Sequence, residues 1–223
     1  MKIMSESRLD FKKKRIRAFF LYFMASSKDK SEAEVDEGVL DEIEQTGLEY
    51  IQMKLPLEKI TKEFEAELGE KVEKNILHAK IRLASETDLE SIMYIYNRSW
   101  LTSNTPFSRI SVDTLKNIYD YPETAILIAK VYGSDAAFII LDFEGPNNEY
   151  GVISGLGVLP RYQRKGLGTV IGMAAWNFFK EKKGVKELRC EVFTENLTSY
   201  NFIKSLGFEE FDRKTYKSED FAD

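Results

Sequence analysis

The chain has 223 residues, 43% of them hydrophobic and 13% aromatic, enough apolar material for a buried core and too much for a disordered chain. Its 37 acidic and 32 basic residues leave a formal net charge of −5, which weighs against a wholly basic nucleic-acid-binding surface. With one cysteine, Cys190, and one histidine, His78, an internal disulfide, zinc fingers and His-rich metal sites are excluded; a cytoplasmic protein without a metal is expected.

Charge separates early along the chain. Residues 8–17 carry six basic groups and one acid, and residues 29–49 carry nine acids and one lysine. Leu9, Ile16, Phe20 and Phe23 recur at helical spacing and predict an amphipathic helix over residues 6–25. Its apolar run, Ala18 to Ala25, is well short of the roughly 20 residues a membrane span needs. Glu6 and Asp10 in the flank also make it a poor signal peptide. A second helix is expected over 36–53, with Val39, Leu40, Ile43 and Tyr50 inward. A third should start beside Pro56 and carry Ile60, Phe64, Leu68 and Val72 at four-residue spacing. Residues 1–78 therefore read as a helical N-terminal extension. Its apolar stripes need cover from the rest of the chain or from a second subunit, as in a homodimer.

From Ala79 the pattern changes to a second domain, residues 79–223. Ile81 and Leu83 alternate with Lys80 and Arg82 as a short strand. Ser85-Glu86-Thr87-Asp88 opens a helix reaching Trp100, and a polar loop leads to another helix near 111–120. Strands are expected over 124–132 and 135–143, joined by a tight turn at Gly133-Ser134. After the turn Gly145-Pro146-Asn147-Asn148 come a strand to residue 159, a helix over 166–183 and a strand over 185–193. A helix over 197–206 and a strand over 208–217 complete the order. The expected class is α/β (α+β), a mixed, mostly antiparallel sheet flanked by helices.

Chemistry concentrates in Val158-Leu159-Pro160-Arg161-Tyr162-Gln163-Arg164-Lys165-Gly166-Leu167-Gly168. A strand ends, a basic loop follows, and two glycines open a helix whose orphan N–H donors and positive dipole end suit phosphate. The third glycine of a dinucleotide fingerprint and the Gly-Lys-Ser/Thr of a Walker loop are both missing.

Gln163-x-x-Gly166-x-Gly168, after a strand ending Val158-Leu159-Pro160, resembles the acyl-CoA signature of GNAT-type N-acetyltransferases. Two further elements agree: Ile81-Arg82-Leu83-Ala84 with Thr87-Asp88-Leu89, and Leu188-x-x-x-Val192-x-x-x-Asn196-x-x-Ser199 followed by Leu206-Gly207-Phe208. The resemblance covers residues 79–217 and implies the acyl-CoA N-acyltransferase fold, with acetyl-CoA or CoA as cofactor. It also implies direct transfer of an acetyl group to an amine of a small molecule, peptide or protein. Leu156, Gly157 and Val158 would lie along the pantetheine arm, where a backbone N–H polarises the thioester carbonyl. The N–H groups of Arg164, Lys165, Gly166, Leu167, Gly168 and Thr169 would hold the pyrophosphate, with Gln163 in the signature and Asn196 and Ser199 as further cofactor contacts. Asn196 also reads as a helix cap.

Departures from the family pattern bear on catalysis. Residues 152–158 contain no acid, which leaves Glu149 and Glu191 as candidate bases. The tyrosine that relatives place seven residues after the asparagine is Ile203 here, so Tyr200 is the candidate stand-in acid. Tyr96, Trp100 and Phe107 fall where relatives build the acceptor pocket. Relatives run through two strands after Gly207-Phe208, whereas about fifteen residues follow here, so the last strand is expected to be short, absent or supplied by a partner. Two other readings follow from the same features: a non-catalytic acyl-CoA sensor, and a partner-binding protein acting through the extension.

Overall fold

Seven strands form one sheet in the computed structural model, which describes residues 46–75, 77–100, 102–103, 105, 109–182 and 184–221. The expected helix over 6–25 and residues 36–45 of the second lie outside the described residues. The strands are β1 (Leu48–Pro56), β2 (Lys80–Leu83), β3 (Ala125–Val131), β4 (Ser134–Glu144), β5 (Tyr150–Val158), β6 (Glu187–Phe193) and β7 (Glu209–Tyr216). The helices are α1 (Lys62–Glu73), α2 (Leu89–Trp100), α3 (Val112–Tyr119), α4 (Leu167–Lys180) and α5 (Leu197–Ser205). In space the strands run β2-β3-β4-β5-β6-β1-β7. Only β5 and β6 are parallel neighbours; every other pair is antiparallel.

Residues 48–53, which the apolar spacing places at the end of a helix, instead form part of β1, a strand inside the sheet. The alternation explains it: Ile51, Met53 and Leu55 are buried on one face, with Gln52 and Lys54 between them on the other. Gly47, at φ +77, turns the chain into the strand, and a Cβ there would sit 2.8 Å from the Tyr216 carbonyl oxygen. β1 pairs Met53 with Cys190 of β6 and Ile51 with Arg213 of β7. The sheet thus takes in part of the stretch read as a helical extension. It also resolves the missing C-terminal strand: β7 is eight residues long, and the place between it and β6 is filled by the chain's own β1.

Smaller differences have local causes. The third expected helix starts at Lys62 rather than beside Pro56, because Thr61 caps it by accepting the Phe64 N–H at 3.2 Å. Leu57–Lys59 is a separate 3-10 turn, and Ile60 precedes the helix. The β3–β4 turn is centred on Tyr132-Gly133, at φ +50 and +81, one residue earlier than expected. Positive φ at both positions matches the twist of the flanking strands.

Helices cover the sheet on two faces. α4 and α5 pack with Ile51, Met53, Leu55, Leu188, Cys190 and Val192 on one. On the other, α2 and α3 cover Ile126, Ile128, Phe138 and Ile140. α1 is fastened along α4, where the Trp176 indole and the Lys180 ammonium both donate to Glu65 at 2.6 Å. Cys190 is buried in the first core. Among the described residues no helix is long and apolar enough to cross a membrane.

The entry to α2 carries a testable ion pair. Asp88 receives both Arg82 guanidinium nitrogens at 2.7 Å and the Ser85 N–H and hydroxyl at 2.7 and 2.8 Å. The Arg82 bonds, then those from Ser85, hold the buried Asp88 carboxyl well below the usual carboxylate range. A depressed folded pKa means the contribution is fully present above the unfolded value near ~4 and is lost as pH falls below it. Asp88→Asn should cost about 1–2 kcal/mol in urea unfolding at pH 7, the half-exposed Arg82 limiting the figure. The gap between variant and wild type should narrow steadily in unfolding curves taken below pH ~4.

Candidate active site

β5 and β6 pair only from Tyr150/Glu187 to Ile153/Cys190. Beyond that pair β6 continues against β1 and β5 against β4, and the two strands part. A bulge helps β5 turn away: Leu141 pairs with Ile153 and Ile140 with Gly155, which leaves Ser154 as an extra residue. Ser154 and Glu191 are the first residues past the last pair, at the root of a V-shaped cleft.

The loop leading to α4 lies at the mouth of the cleft. Pro160–Tyr162 forms a 3-10 turn, Arg164 has φ +57, and Gly166, at φ +79, begins α4 with no side chain among the described residues capping it. The first N–H groups of α4 therefore remain for a ligand, at the positive end of a helix of 14 residues. Arg164 and Lys165 are exposed beside them, and the Arg161 guanidinium lies over the Tyr162 ring at 4.8 Å. This donor set suits a pyrophosphate.

Close packing requires the glycines of this loop and of β5. A Cβ on Gly166 would overlap the Asn75 amide nitrogen, and one on Gly168 would meet the Phe202 ring at 3.1 Å. Gly168 thus lets α5 pack closely on α4. Gly157 lies against the Phe138 ring, and a Cβ there would be 2.7 Å from Ser99 Oγ.

The other candidates divide clearly. Gln163 donates to the Val158 carbonyl at 2.9 Å and to Thr102 at 3.1 Å, so it ties the loop to the end of β5 and to the α2–α3 connection. Leu167 is buried and offers only its N–H, Leu156 packs against the core, and Thr169 is half-buried. Asn196 caps α5, accepting the Ser199 N–H at 3.0 Å, and donates to Thr105 at 2.6 Å. Trp100 stacks on Tyr96, ring centroids 4.5 Å apart, and Tyr96 is wholly buried beneath it, a core residue rather than a pocket wall. Phe107 lies outside the described residues.

The three candidate catalytic residues separate in space. Glu149 accepts the Asn147 N–H at 2.8 Å in the turn before β5, and that bond and its own backbone N–H hold its carboxyl below the usual value. The turn lies at the opposite end of β5 from the cleft, so Glu149 is not brought to the site. The Tyr200 hydroxyl donates to Glu210 of β7. β7 lies two strands beyond β6, about 10 Å from it, which draws this hydroxyl away from the cleft. Glu191 stays at the root, opposite Gln52 of β1, with the Tyr216 hydroxyl 3.3 and 3.4 Å from its oxygens. Burial, then the Glu191 charge, push the Tyr216 phenol above its usual value, so it remains a donor. Ile203 is buried and brings no proton.

Sequence reasoning missed Asn75, Thr102, Thr105 and Tyr216. None belongs to the signature, and each reaches the site from a distant segment. A cavity of about 700 Å³ lies at the C-terminal end of α4, lined by Tyr119, Pro122, Phe143, Phe178 and Lys182, and takes no part in the cleft.

Comparisons bear on the whole arrangement. A family profile described as the acetyltransferase (GNAT) family matches residues 89–208. An N-alpha-acetyltransferase from Sulfurisphaera tokodaii is 32% identical over 140 residues, 59% of this chain and 80% of that protein. Among solved structures, the PaiA N-acetyltransferase of Thermoplasma acidophilum in complex with coenzyme A has a TM-score of 0.52 at 22% identity, over 62% of this chain and 99% of its own. A functionally unknown conserved protein from Staphylococcus epidermidis has a TM-score of 0.55 at 16% identity, over 82% of this chain and 66% of the other. The likeness to these two structures is one of fold.

Proposed function

Because the chain belongs to the acetyltransferase (GNAT) family, we propose that it is an acetyl-CoA-dependent transferase acting on the α-amine of a peptide or on a small amine that mimics one. The observation that carries this is the cleft, with β5 parting from β6 at Ile153/Cys190 beside the uncapped start of α4. One end of the cleft suits an anion and the other holds a carboxylate. The α-amine is favoured because the Sulfurisphaera tokodaii relative is an N-alpha-acetyltransferase.

Each part of the cleft has a task. Bound there, acetyl-CoA would supply an acetyl group activated as a thioester. The N–H groups of Arg164 through Thr169 would hold its phosphates, with Arg164 and Lys165 adding charge. The backbone N–H groups of Leu156 and Val158, which alternate away from β4 onto the edge β6 leaves unpaired, would polarise the carbonyl. Glu191 would take the proton the amine gives up as its nitrogen bonds to the carbonyl carbon, directly or through water. The C–S bond then breaks, and the departing sulfur takes a proton from water. With a thiol pKa near ~8.5, that group leaves tolerably without an acid, which suits a site where Ile203 has no hydroxyl and Tyr200 faces Glu210.

The test is release of free thiol from acetyl-CoA over a panel of peptides with free or blocked α-amines, lysine side chains and small polyamines. Turnover confined to free α-amines is expected. If no amine releases thiol although CoA binds, the sensor reading replaces this one. Glu191→Gln should lower kcat about a hundredfold, the low end of what general-base catalysis supplies, with CoA affinity unchanged. A kcat within twofold of wild type would remove Glu191 from the mechanism.

A further inference from the structure

The peptide between Lys165 and Gly166 is held from outside the stretch that matches the family. Asn75, just past the C-terminus of α1, donates its side-chain amide to the Lys165 carbonyl at 2.8 Å. Its own carbonyl oxygen accepts the Leu77 N–H at 2.9 Å, which fixes the amide plane. α1 is in turn pinned to α4 through Glu65, Trp176 and Lys180. Asn75 therefore sits at the N-terminal end of α4 on a splint that runs along the same helix.

Peptide geometry gives this contact a consequence. In a planar trans peptide the C=O and the following N–H point in opposite directions. Drawing the Lys165 carbonyl toward Asn75 turns the Gly166 N–H the other way and keeps the carbonyl's negative end from any anion at the start of α4. Arg164, one residue before this peptide, has φ +57. A left-handed arginine makes the loop costly to hold without an outside contact. The bare Gly166 is also what leaves room for the Asn75 amide.

We infer that Asn75 is a positioning residue for the donor's pyrophosphate, setting the peptide direction of the loop from the N-terminal segment of the chain. This rests on the cofactor reading above. Losing one hydrogen bond of this kind is worth about a three- to tenfold change in affinity. In calorimetry on the full chain, Asn75→Ala and Asn75→Asp should each raise the CoA Kd by that factor, the aspartate more, since it cannot donate and carries like charge. The Kd of pantetheine, which has no phosphate, should stay unchanged when measured by competition, and the thermal midpoint should stay near wild type. Equal weakening of CoA and pantetheine would make Asn75 a merely structural residue and overturn the inference. Unchanged CoA binding in both variants would overturn it while leaving the cofactor reading intact. Failure of the wild type to bind CoA would overturn both.

Discussion

A chain shortened to begin at Ala79 is expected to lose cooperative unfolding altogether. The shortening removes Leu48, Tyr50, Ile51, Met53 and Leu55 of β1 and Leu68 of α1, all of them buried. At roughly 1.5–3 kcal/mol for each side chain, the loss is on the order of 10–20 kcal/mol, against the 5–15 kcal/mol that holds a typical domain together. β7 would then lose β1, its one partner in the sheet among the described residues. Its Glu209, Glu210, Asp212, Arg213 and Lys214 give it no apolar face with which to find another. Circular dichroism should show no sigmoidal melt for the shortened chain, and gel filtration should show aggregate. A melt at the wild-type midpoint would mean that β1 is dispensable.

The second large effect is expected from Gly166→Val. Its φ of +79 is one a β-branched side chain resists, and its Cβ would overlap Asn75. Relief requires the 164–166 loop to move, which redirects two or three N–H donors at the start of α4. Each charge-assisted bond lost is worth roughly 1.5–3 kcal/mol, so the affinity for CoA should fall by about a thousandfold. The core beneath, Leu167 and Ile171, is untouched, so the melting midpoint should shift by only a few degrees. Calorimetry with CoA and a thermal melt on the same preparation check both halves of this expectation, and CoA binding within tenfold of wild type would refute it.

What the sequence made legible was local. The loop that opens α4 puts its strand end, turn, glycines and helix start within a dozen consecutive positions, so composition and spacing are enough to find it. β2, the β3–β4 hairpin and β5 likewise carry their own alternation and turn residues. β1 carried a signal too, since Ile51, Met53 and Leu55 alternate with Gln52 and Lys54 between Gly47 and Pro56. It was masked by the acidic, helix-like stretch before it and by the distance to its partners. The catalytic assignments were less legible because direction decides them. Spacing along α5 could not show that Tyr200 faces Glu210, nor that Tyr216 returns from β7 to Glu191. Asn75 and its bond to Lys165 lie ninety positions apart, beyond the reach of any local pattern.

The place of β1 between β6 and β7 sets a timetable for biosynthesis. Ile51 leaves the ribosome early, yet it must wait for Val192 and then Arg213 before both its edges are paired. At about 5–20 residues per second that wait is on the order of ten seconds. Closing so long a loop also makes the pairing slow once the partners exist. In the interval the nascent strand exposes two open edges and an apolar face, the condition under which strands join other chains. Glu49 and Lys54 along it and Pro56 at its end act as gatekeepers against that association. A ribosome halted before residue 209 would therefore hold a chain with the loop that opens α4 already made and its sheet still unfinished.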